Sequence, residues 1–428
     1  MQAVVIGGGA IGLSAAYFLQ ESGWKVVVLE KGNLTDNCSF GNMGYLSPSH
    51  FVPLASPGVV EQGLLWMLNA KSPFYIRPVL NLSLLDWGWK FVRSATREHV
   101  ARSARPLRDL LLLSKEETKR WLASGLFDFE YVERGCIMYY NTLGGERSER
   151  ETAQQAEDLG LKVTVLEREQ ARALEPEAHL QVRGGVLYHD DAHLYPNALM
   201  EQLPRAIERR GGLVQCEAEV VGFERLNGSI TAVRYRSSTS TEEQCLNADV
   251  VVLAAGSWSP KLARLCGEYL PLVPGKGYSV TIERPERTLN YPCILKEAKV
   301  ALTPWSNRLR IGSTMEIGPI DNRIRLRRVQ GILRAVREYM PGIAEAPGVR
   351  ALQDTEQLRR RTWFGYRPLS ADGMPYIGRG KKNTNLIIAT GHAMLGISLA
   401  AGTGKLVAEL ACGQPTSLPL QPFDPKRF

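Results

Sequence analysis

Gln2-Ala3-Val4-Val5-Ile6-Gly7-Gly8-Gly9-Ala10-Ile11-Gly12 follows Met1, and its reading decides the fold. Gln2 to Ile6 is a short β-branched run of the kind that forms a buried strand. It leads without a spacer into Gly7-x-Gly9-x-x-Gly12, which opens an amphipathic helix through Leu13, Ala16, Tyr17 and Leu19, closed near Gly23. A second strand, Lys25 to Leu29, ends in Glu30. Together these make the βαβ unit that grips a dinucleotide. Gly7 permits the tight turn, Gly9 lets backbone approach a pyrophosphate, and Gly12 lets the helix pack closely on the strands. The helix start at Ala10 and Ile11 offers free N–H groups and a positive dipole end to phosphates. Glu30 is placed to accept hydrogen bonds from a ribose 2′-hydroxyl.

The bulk properties narrow the class. A length of 428 residues allows two domains, and 44% hydrophobic content suits a globular enzyme. The apolar runs fall short of a membrane span, so no transmembrane helix is expected. A strand starting at residue 2 leaves no room for a leader, which predicts a cytoplasmic location. The seven cysteines, at 38, 136, 216, 245, 266, 293 and 412, are scattered and never spaced as CxxC. They read as reduced thiols with no metal role. The net charge of +8 is modest, and the arginine clusters at 323–328 and 359–361 lack aromatic interleaving. They read as solvated faces rather than a nucleic-acid site, with an anionic membrane surface as the alternative partner.

The βαβ unit serves FAD and NAD alike, so the remaining chain must decide. Ala248 to Leu253 is another buried strand, ending in the small-residue turn Ala254-Ala255-Gly256-Ser257-Trp258. Leu386 to Ala389 is a strand leading into Thr390-Gly391-His392, followed by a helix expected from Met394 to about Cys412. Distant segments that return to one nucleotide suit FAD, with its long ribityl chain and isoalloxazine. No second GxGxxG occurs, and Gly404-Lys405 is followed by Leu406 rather than Ser or Thr, so neither a nicotinamide site nor a P-loop is predicted.

With these segments in view, the chain resembles the D-amino-acid-oxidase-like flavoprotein superfamily, most closely the bacterial D-amino acid dehydrogenases (small subunit). The motifs that carry the likeness run along nearly the whole sequence. They are Ser39-Phe40-Gly41-Asn42-Met43-Gly44 with Leu46-Ser47-Pro48, Lys276-Gly277-Tyr278-Ser279, and Arg310-Ile311-Gly312-Ser313-Thr314-Met315-Glu316. They end with Gly365-Tyr366-Arg367-Pro368 leading to Asp372-Gly373-x-Pro375-x-Ile377-Gly378, and with Gly391 to Gly396. The resemblance implies an α/β fold in which a Rossmann-like FAD-binding domain (1–50, 145–262, 363–428) interleaves with a mixed-sheet α+β substrate-binding domain (51–144, 263–362). The residues agree in outline. Positions 60–124 read mainly helical, with Leu110 to Leu113 and Trp121 on apolar faces. Positions 272–316 read as strands, with alternation at Tyr278, Val280 and Ile282, and Ser237–Thr241 reads as an exposed loop.

The implied function is FAD-dependent oxidative deamination of a D-amino acid, by hydride transfer from Cα to flavin N5. The cofactor contacts implied, beyond Gly7, Gly9, Ala10, Ile11 and Gly12, are Glu30, Lys31, Ser39, Asn42, Gly44, Leu46, Val220, Ala255, Gly256 and Trp258. Gly391, His392, Leu395, Gly396, Ile397 and Ser398 complete them, their backbone N–H groups facing flavin O2 at a helix start. The FAD is expected to be non-covalent, and no metal is expected. Arg367 is the candidate anchor for a substrate carboxylate, because a guanidinium fork matches its two oxygens. Its structural alternative is a pairing with Asp372. Tyr278, Tyr45 and His50 are candidates for the pocket. Met394 stands where amine-oxidising relatives place a second arginine, which favours neutral or apolar substrates, including cyclic ones such as D-proline or D-hydroxyproline. A glycine- or sarcosine-type amine, a 2-hydroxy acid, or a non-enzymatic flavin-binding subunit of a complex are the alternatives. The apolar run at 53–94, with Leu64 to Leu68, Phe74 to Ile76, Trp87, Trp89 and Phe91, suits peripheral membrane contact and a quinone or other respiratory-chain acceptor. It equally suits a buried helical layer.

Overall fold

The computed structural model describes residues 1–35, 37–58, 74–77, 79, 81–238 and 242–428. The first strand, Gln2–Ile6, lies inside a six-stranded sheet, because its apolar residues have no polar face to turn to solvent. The order across that sheet is Tyr376–Arg379, Leu386–Thr390, Val250–Leu253, Gln2–Ile6, Lys25–Leu29, Leu213–Gln215. Every neighbouring pair runs parallel except the edge strand Tyr376–Arg379. Alternate side chains feed two different cores, as the period of two requires. Ala3, Val5, Val26, Val28 and Val252 pack under the helices Ala10–Glu21, Pro196–Arg209 and Ala400–Ala411. Val4, Ile6, Leu29, Val251 and Leu253 pack instead under a three-stranded antiparallel sheet, Ala218–Leu226, Ser229–Ser237 and Glu243–Asn247. The loop expected at Ser237–Thr241 falls between the last two of these strands, with 239–241 outside the described residues.

The second large sheet has nine strands of mixed direction. Leu272–Glu283 stands between Thr362–Ser370 and Arg308–Ile317, antiparallel to both, and the order continues through Val300–Trp305 and Cys293–Leu295. Tyr278, Val280 and Ile282 are each 1% exposed, as the alternation predicts. Beyond Cys293–Leu295 come Cys136–Tyr140, Gly184–Tyr188 and Val163–Glu167. Sheet pairing crosses the expected division at two places. The strands at 163–167 and 184–188 were placed with the nucleotide-binding part but join the larger sheet. Gly184–Tyr188 is buried throughout and hydrogen-bonds on both edges to strands of that sheet. Thr362–Ser370 likewise completes the larger sheet through its pairing with Leu272–Glu283.

Two long helices cover the junction, Leu82–Ser94 and Arg97–Ala123. The latter buries Leu107, Leu110, Leu111 and Trp121, as the apolar spacing indicates. One expected helix is shorter than read. Ala393–Leu395 forms a single 3-10 turn, and the α-helix runs only from Ala400 to Ala411. Gly391 and Ala393, just before the expected start, carry positive φ of +80° and +49°, so the chain turns sharply into this segment.

Helices Ala10–Glu21 and Ala400–Ala411 approach so closely that a Cβ on Gly404 would stand 2.7 Å from the Ser14 backbone. Gly404→Ala should therefore push them apart. We expect a loss of about 1–3 kcal/mol, read as a lower thermal unfolding midpoint.

Candidate functional site

A cavity of about 1000 Å³ lies where the carboxyl ends of the parallel strands meet the larger sheet. Its walls include Ile6, Leu29 and Ala254 from the first sheet and Tyr278, Thr314 and Arg367 from the second. A crevice outside the carboxyl ends of parallel strands is where such folds hold ligands.

The glycine turn is built from both steric and vacant positions. Gly7 has φ +111°, and a Cβ on Gly12 would sit 1.9 Å from the Gly7 carbonyl oxygen, so Gly12 serves the turn and not the cavity wall. Gly9 differs. Its φ is −75°, and a Cβ there would meet nothing in the protein closer than Ser39 Oγ at 3.7 Å. Gly256 and Gly396, also on the wall, have nothing within 4 Å of an added Cβ. These three positions leave space that the protein itself does not use.

Glu30 is pinned at the end of its strand, accepting from Gly8 N at 2.6 Å and Gly32 N at 2.8 Å, while still lining the cavity. The Ala10 N–H, expected to be free for phosphate, donates instead to Ser39 Oγ at 3.1 Å. Asn37 Nδ2 donates to the Gly8 carbonyl at 3.1 Å, so the 37–39 loop clamps the turn. Lys31 reaches Glu219 at 2.8 Å across the cavity rim, and Val220, Ala255 and Trp258 line the opposite side.

The segment Phe40–Tyr45 presents six consecutive carbonyls, and each accepts a hydrogen bond from elsewhere. Arg310 Nη1 donates to Phe40 O at 2.9 Å and Asn42 O at 2.6 Å, Ser279 Oγ to Gly41 O at 3.1 Å, and Thr303 Oγ1 to Met43 O at 2.8 Å. Leu194 N donates to Gly44 O at 2.8 Å, and Ser398 Oγ to Tyr45 O. Arg310 is 3% exposed, and burial lowers its guanidinium to about 10. Its bonding role was not predicted, although Arg310 opens one of the motifs that carry the family likeness. Trp363, also unpredicted, lies so close to Gly41 that a Cβ there would be 2.0 Å from its ring. Gly44 (φ +76°) and Leu46, which pairs with Ala192, hold this segment in place and do not line the cavity.

Arg367 stands across the cavity from the glycine turn, on Thr362–Ser370. Gly277 on the neighbouring strand makes room for it, since a Cβ at Gly277 would lie 2.3 Å from Nη1. One Nη1 proton goes to the carbonyl of Thr314, whose φ of +65° is strained for a β-branched residue. No carboxylate pairs with this guanidinium among the described residues, and burial alone pulls it down to about 10. The alternative partner, Asp372, is taken by Arg427 at 2.6 and 2.9 Å. A buried cation without a counter-ion is costly unless a ligand supplies one.

The other candidates separate. Tyr278 is buried, accepts from Arg325 N at 3.4 Å, and keeps its hydroxyl proton for another partner. Tyr45 lines the cavity with its ring, but its hydroxyl donates into the sheet, to Cys293 O at 2.8 Å, with Leu302 O at 3.0 Å. His50 lines the cavity, and burial with the nearby Lys299 charge lowers it to about 4. His392 lines the cavity, is 3% exposed, is held near 3 by burial and is bonded to Thr403 Oγ1 at 3.0 Å. Leu395, Gly396, Ile397 and Ser398 line the cavity from the turns that precede the last helix, a turn earlier than its N-terminus; Gly391 stays behind the wall.

Comparison with known proteins agrees with this geometry. The family described as "DAO: FAD dependent oxidoreductase" matches residues 2–410. A D-amino acid dehydrogenase of Helicobacter pylori is 30% identical over 411 residues, covering 96% of this chain and 94% of its own. A D-amino acid dehydrogenase of Granulibacter bethesdensis is 29% identical over 430 residues, covering 97% and 96%. Among solved structures, glycine oxidase from Geobacillus kaustophilus superposes with a TM-score of 0.75 at 24% identity, covering 100% of this chain and 98% of that one. L-proline dehydrogenase from P. horikoshii superposes with a TM-score of 0.73 at 20% identity, covering 100% and 97%. These two likenesses show a common fold.

FAD fits the residues present. The open positions at Gly9, Gly256 and Gly396 mark a path of backbone exposed to the cavity, from the glycine turn to the 395–398 turn, with Glu30 at its first end. Gly9→Ala separates ligand from fold. Nothing in the protein opposes the methyl group, so thermal stability of the FAD-free chain should be unchanged. Retention of FAD, followed by visible absorbance after gel filtration, should fall at least about tenfold.

Proposed function

The chain belongs to the DAO family of FAD dependent oxidoreductases, and we propose that it deaminates a D-amino acid whose carboxylate is held by Arg367. The bound FAD supplies the two-electron acceptor for the Cα–H bond. The observation that carries the proposal is the unpaired guanidinium, aimed into the same cavity as the glycine turn, with its expected acid partner already engaged by Arg427.

The protein's part is binding and orientation. A bidentate carboxylate contact fixes one end of the substrate and leaves its Cα one bond away. Tyr278 has a hydroxyl proton to give to the same ligand from the adjacent strand. The walls beyond carry the apolar side chains of Met43, Met138, Ile294, Ala301 and Met315, with Glu149, Lys296 and Lys299 among them. Met394 lines the cavity and is 41% exposed, a thioether where a charged side chain of the substrate would find no partner. This supports neutral or apolar substrates, including cyclic ones such as D-proline or D-hydroxyproline, over a glycine- or dicarboxylate-specific site; sarcosine-type amines and 2-hydroxy acids are separated from these by turnover.

For the electron outlet we propose a quinone or another respiratory-chain acceptor, met at the cytoplasmic face of a membrane. No helix of the described residues is long and apolar enough to cross a membrane. The helix Leu82–Ser94 is apolar on two sides. Trp87 and Phe91 stack at 4.9 Å and face inward, with Trp87 Nε1 donating to Leu369 O at 2.9 Å. Leu82, Leu85, Trp89 and Val92 are 85%, 60%, 64% and 51% exposed, on one stripe beside Arg93. Leu64 to Leu68 of the same apolar run lie outside the described residues. A surface stripe of this kind supports peripheral membrane contact.

Arg367→Ala should keep its FAD and lose about 3 kcal/mol in kcat/KM, on the order of 100-fold, in anaerobic reduction by D-amino acids. Arg367→Lys should recover little, because an ammonium lacks the fork. An unchanged kcat/KM, or bleaching by L-amino or 2-hydroxy acids alone, overturns the reading. Replacing Leu85 and Trp89 together with Asp should abolish sedimentation with anionic vesicles and leave turnover with a soluble dye intact.

A further inference from the structure

Behind the cavity wall, Asp191 is fully buried and has no cation within ion-pair distance among the described residues. Its carboxylate accepts from Ser49 twice, from the backbone N–H at 3.1 Å and from Oγ at 2.6 Å. Ser49 Oγ in turn lies 3.3 Å from Nδ1 of His50, and His50 lines the cavity. A hydroxyl has one proton. Since Ser49 gives it to Asp191, the contact with His50 must run the other way, with Nδ1–H donating to Ser49 Oγ. Nε2 is then the unprotonated nitrogen, and no partner occupies it among the described residues. The chain therefore points one way, from a bare imidazole lone pair at the cavity to a buried carboxylate.

An amino acid arrives with a protonated amino group, and its Cα–H bond cannot leave with both electrons until that group can supply a lone pair. One N–H proton has to go first. We propose that His50, Ser49 and Asp191 are the outlet for it: Nε2 takes the ammonium proton, Nδ1 passes its own to Ser49 Oγ, and Ser49 passes its own to the Asp191 carboxylate. The neutral amine then forms the C=N bond as Cα–H departs with its electron pair, FAD being the oxidant. The product is an iminium, hydrolysed by water to the 2-oxo acid and ammonium. This rests on the amine-oxidising reading above and gives that reading a base. The 3.3 Å contact is of the kind that tightens once substrate is bound.

The surroundings suit the task. Burial raises the Asp191 carboxyl to about 7 against the lowering effect of its bonds to Ser49, so it changes charge near neutrality. Lys115 on the Arg97–Ala123 helix, Cys136 and Tyr188 on the larger sheet, and Tyr45 are the other titratable groups around it. His50, lowered to about 4 by burial and by Lys299, is neutral there and acts as conduit rather than resting place. The ring of Tyr45 lies 6.5 Å from it. Lys299 lines the same end of the cavity and repels a second positive charge, which favours loss of the ammonium proton.

The sign follows. Below about pH 7 Asp191 is protonated and the outlet has no acceptor, so wild-type kcat/KM falls as pH drops through about 7. The test is anaerobic flavin bleaching by a D-amino acid from pH 5.5 to 10 in three proteins. His50→Gln should be about 100-fold slower than wild type at pH 7. It should converge on wild type at a pH where the substrate arrives as the free amine. Asp191→Asn should sit at the low plateau and lack the limb near 7. A second readout needs no turnover. The Asp191 carboxyl ionises near 4 in the unfolded chain and near 7 in the folded one, so its cost builds up between those values and stays constant above them. The melting-temperature advantage of Asp191→Asn over wild type should grow from about pH 4 to about pH 7 and then hold level to about pH 9. A His50→Gln loss equal at every pH, or an Asp191→Asn protein that keeps the wild-type limb, overturns the outlet. A wild-type protein that no amine bleaches removes the amine reading instead.

Discussion

The row of carbonyls from Phe40 to Tyr45 is the constraint on which the rest of the structure depends. Backbone carbonyls in a loop must find donors or water, and here the nine-stranded sheet, the Leu194 N–H and the turns before the last helix supply them. Arg310, Ser279 and Thr303 reach from the nine-stranded sheet, while Ser398 comes from the turns before the last helix of the six-stranded one. The loop that borders the ligand space is thus also the bolt between the two layers. A buried arginine serving neutral carbonyls is an expensive fastener, and its depressed basicity reflects the lost hydration. Its four contacts explain why that loss is tolerated.

Legibility in the sequence followed how local each signal was. The βαβ unit was readable because strand, glycine turn and helix follow one another directly in sequence, and the contact of Gly12 against Gly7 is local in the same way. The alternation in 272–283 was readable for the same reason. The boundary at 145 was not. Whether Gly184–Tyr188 joins one sheet or the other depends on which edge is free, and its register with Cys136–Tyr140 leaves no trace in either segment alone. The start of the last helix was overrun because residues 394–399 share the small and apolar composition of the helix that follows them.

The site shows the same division. Arg367 was found through its motif, but its meaning lies in two distant facts: Gly277 clears its space, and Arg427 occupies Asp372. His50 read as a lone histidine. Only the fold brings Asp191, 141 positions on, to the serine beside it. Arg310 was visible as a residue and invisible as a function, since its partners are main-chain atoms that carry no side-chain signature.

The pairing of Arg427 with Asp372 has a reach beyond its own neighbourhood. Arg427 also lies over the ring of Tyr376 at 4.1 Å and donates to Met374 O at 2.7 Å, so three contacts keep that acid engaged. With its nearest acid in sequence thus committed, the guanidinium at 367 stays available to visitors. If Arg367 holds a carboxylate as proposed, selectivity for acidic ligands is guarded from outside the pocket, by a residue that does not line it. Divergence among related chains at position 427 would then alter ligand affinity while every residue lining the pocket stayed the same.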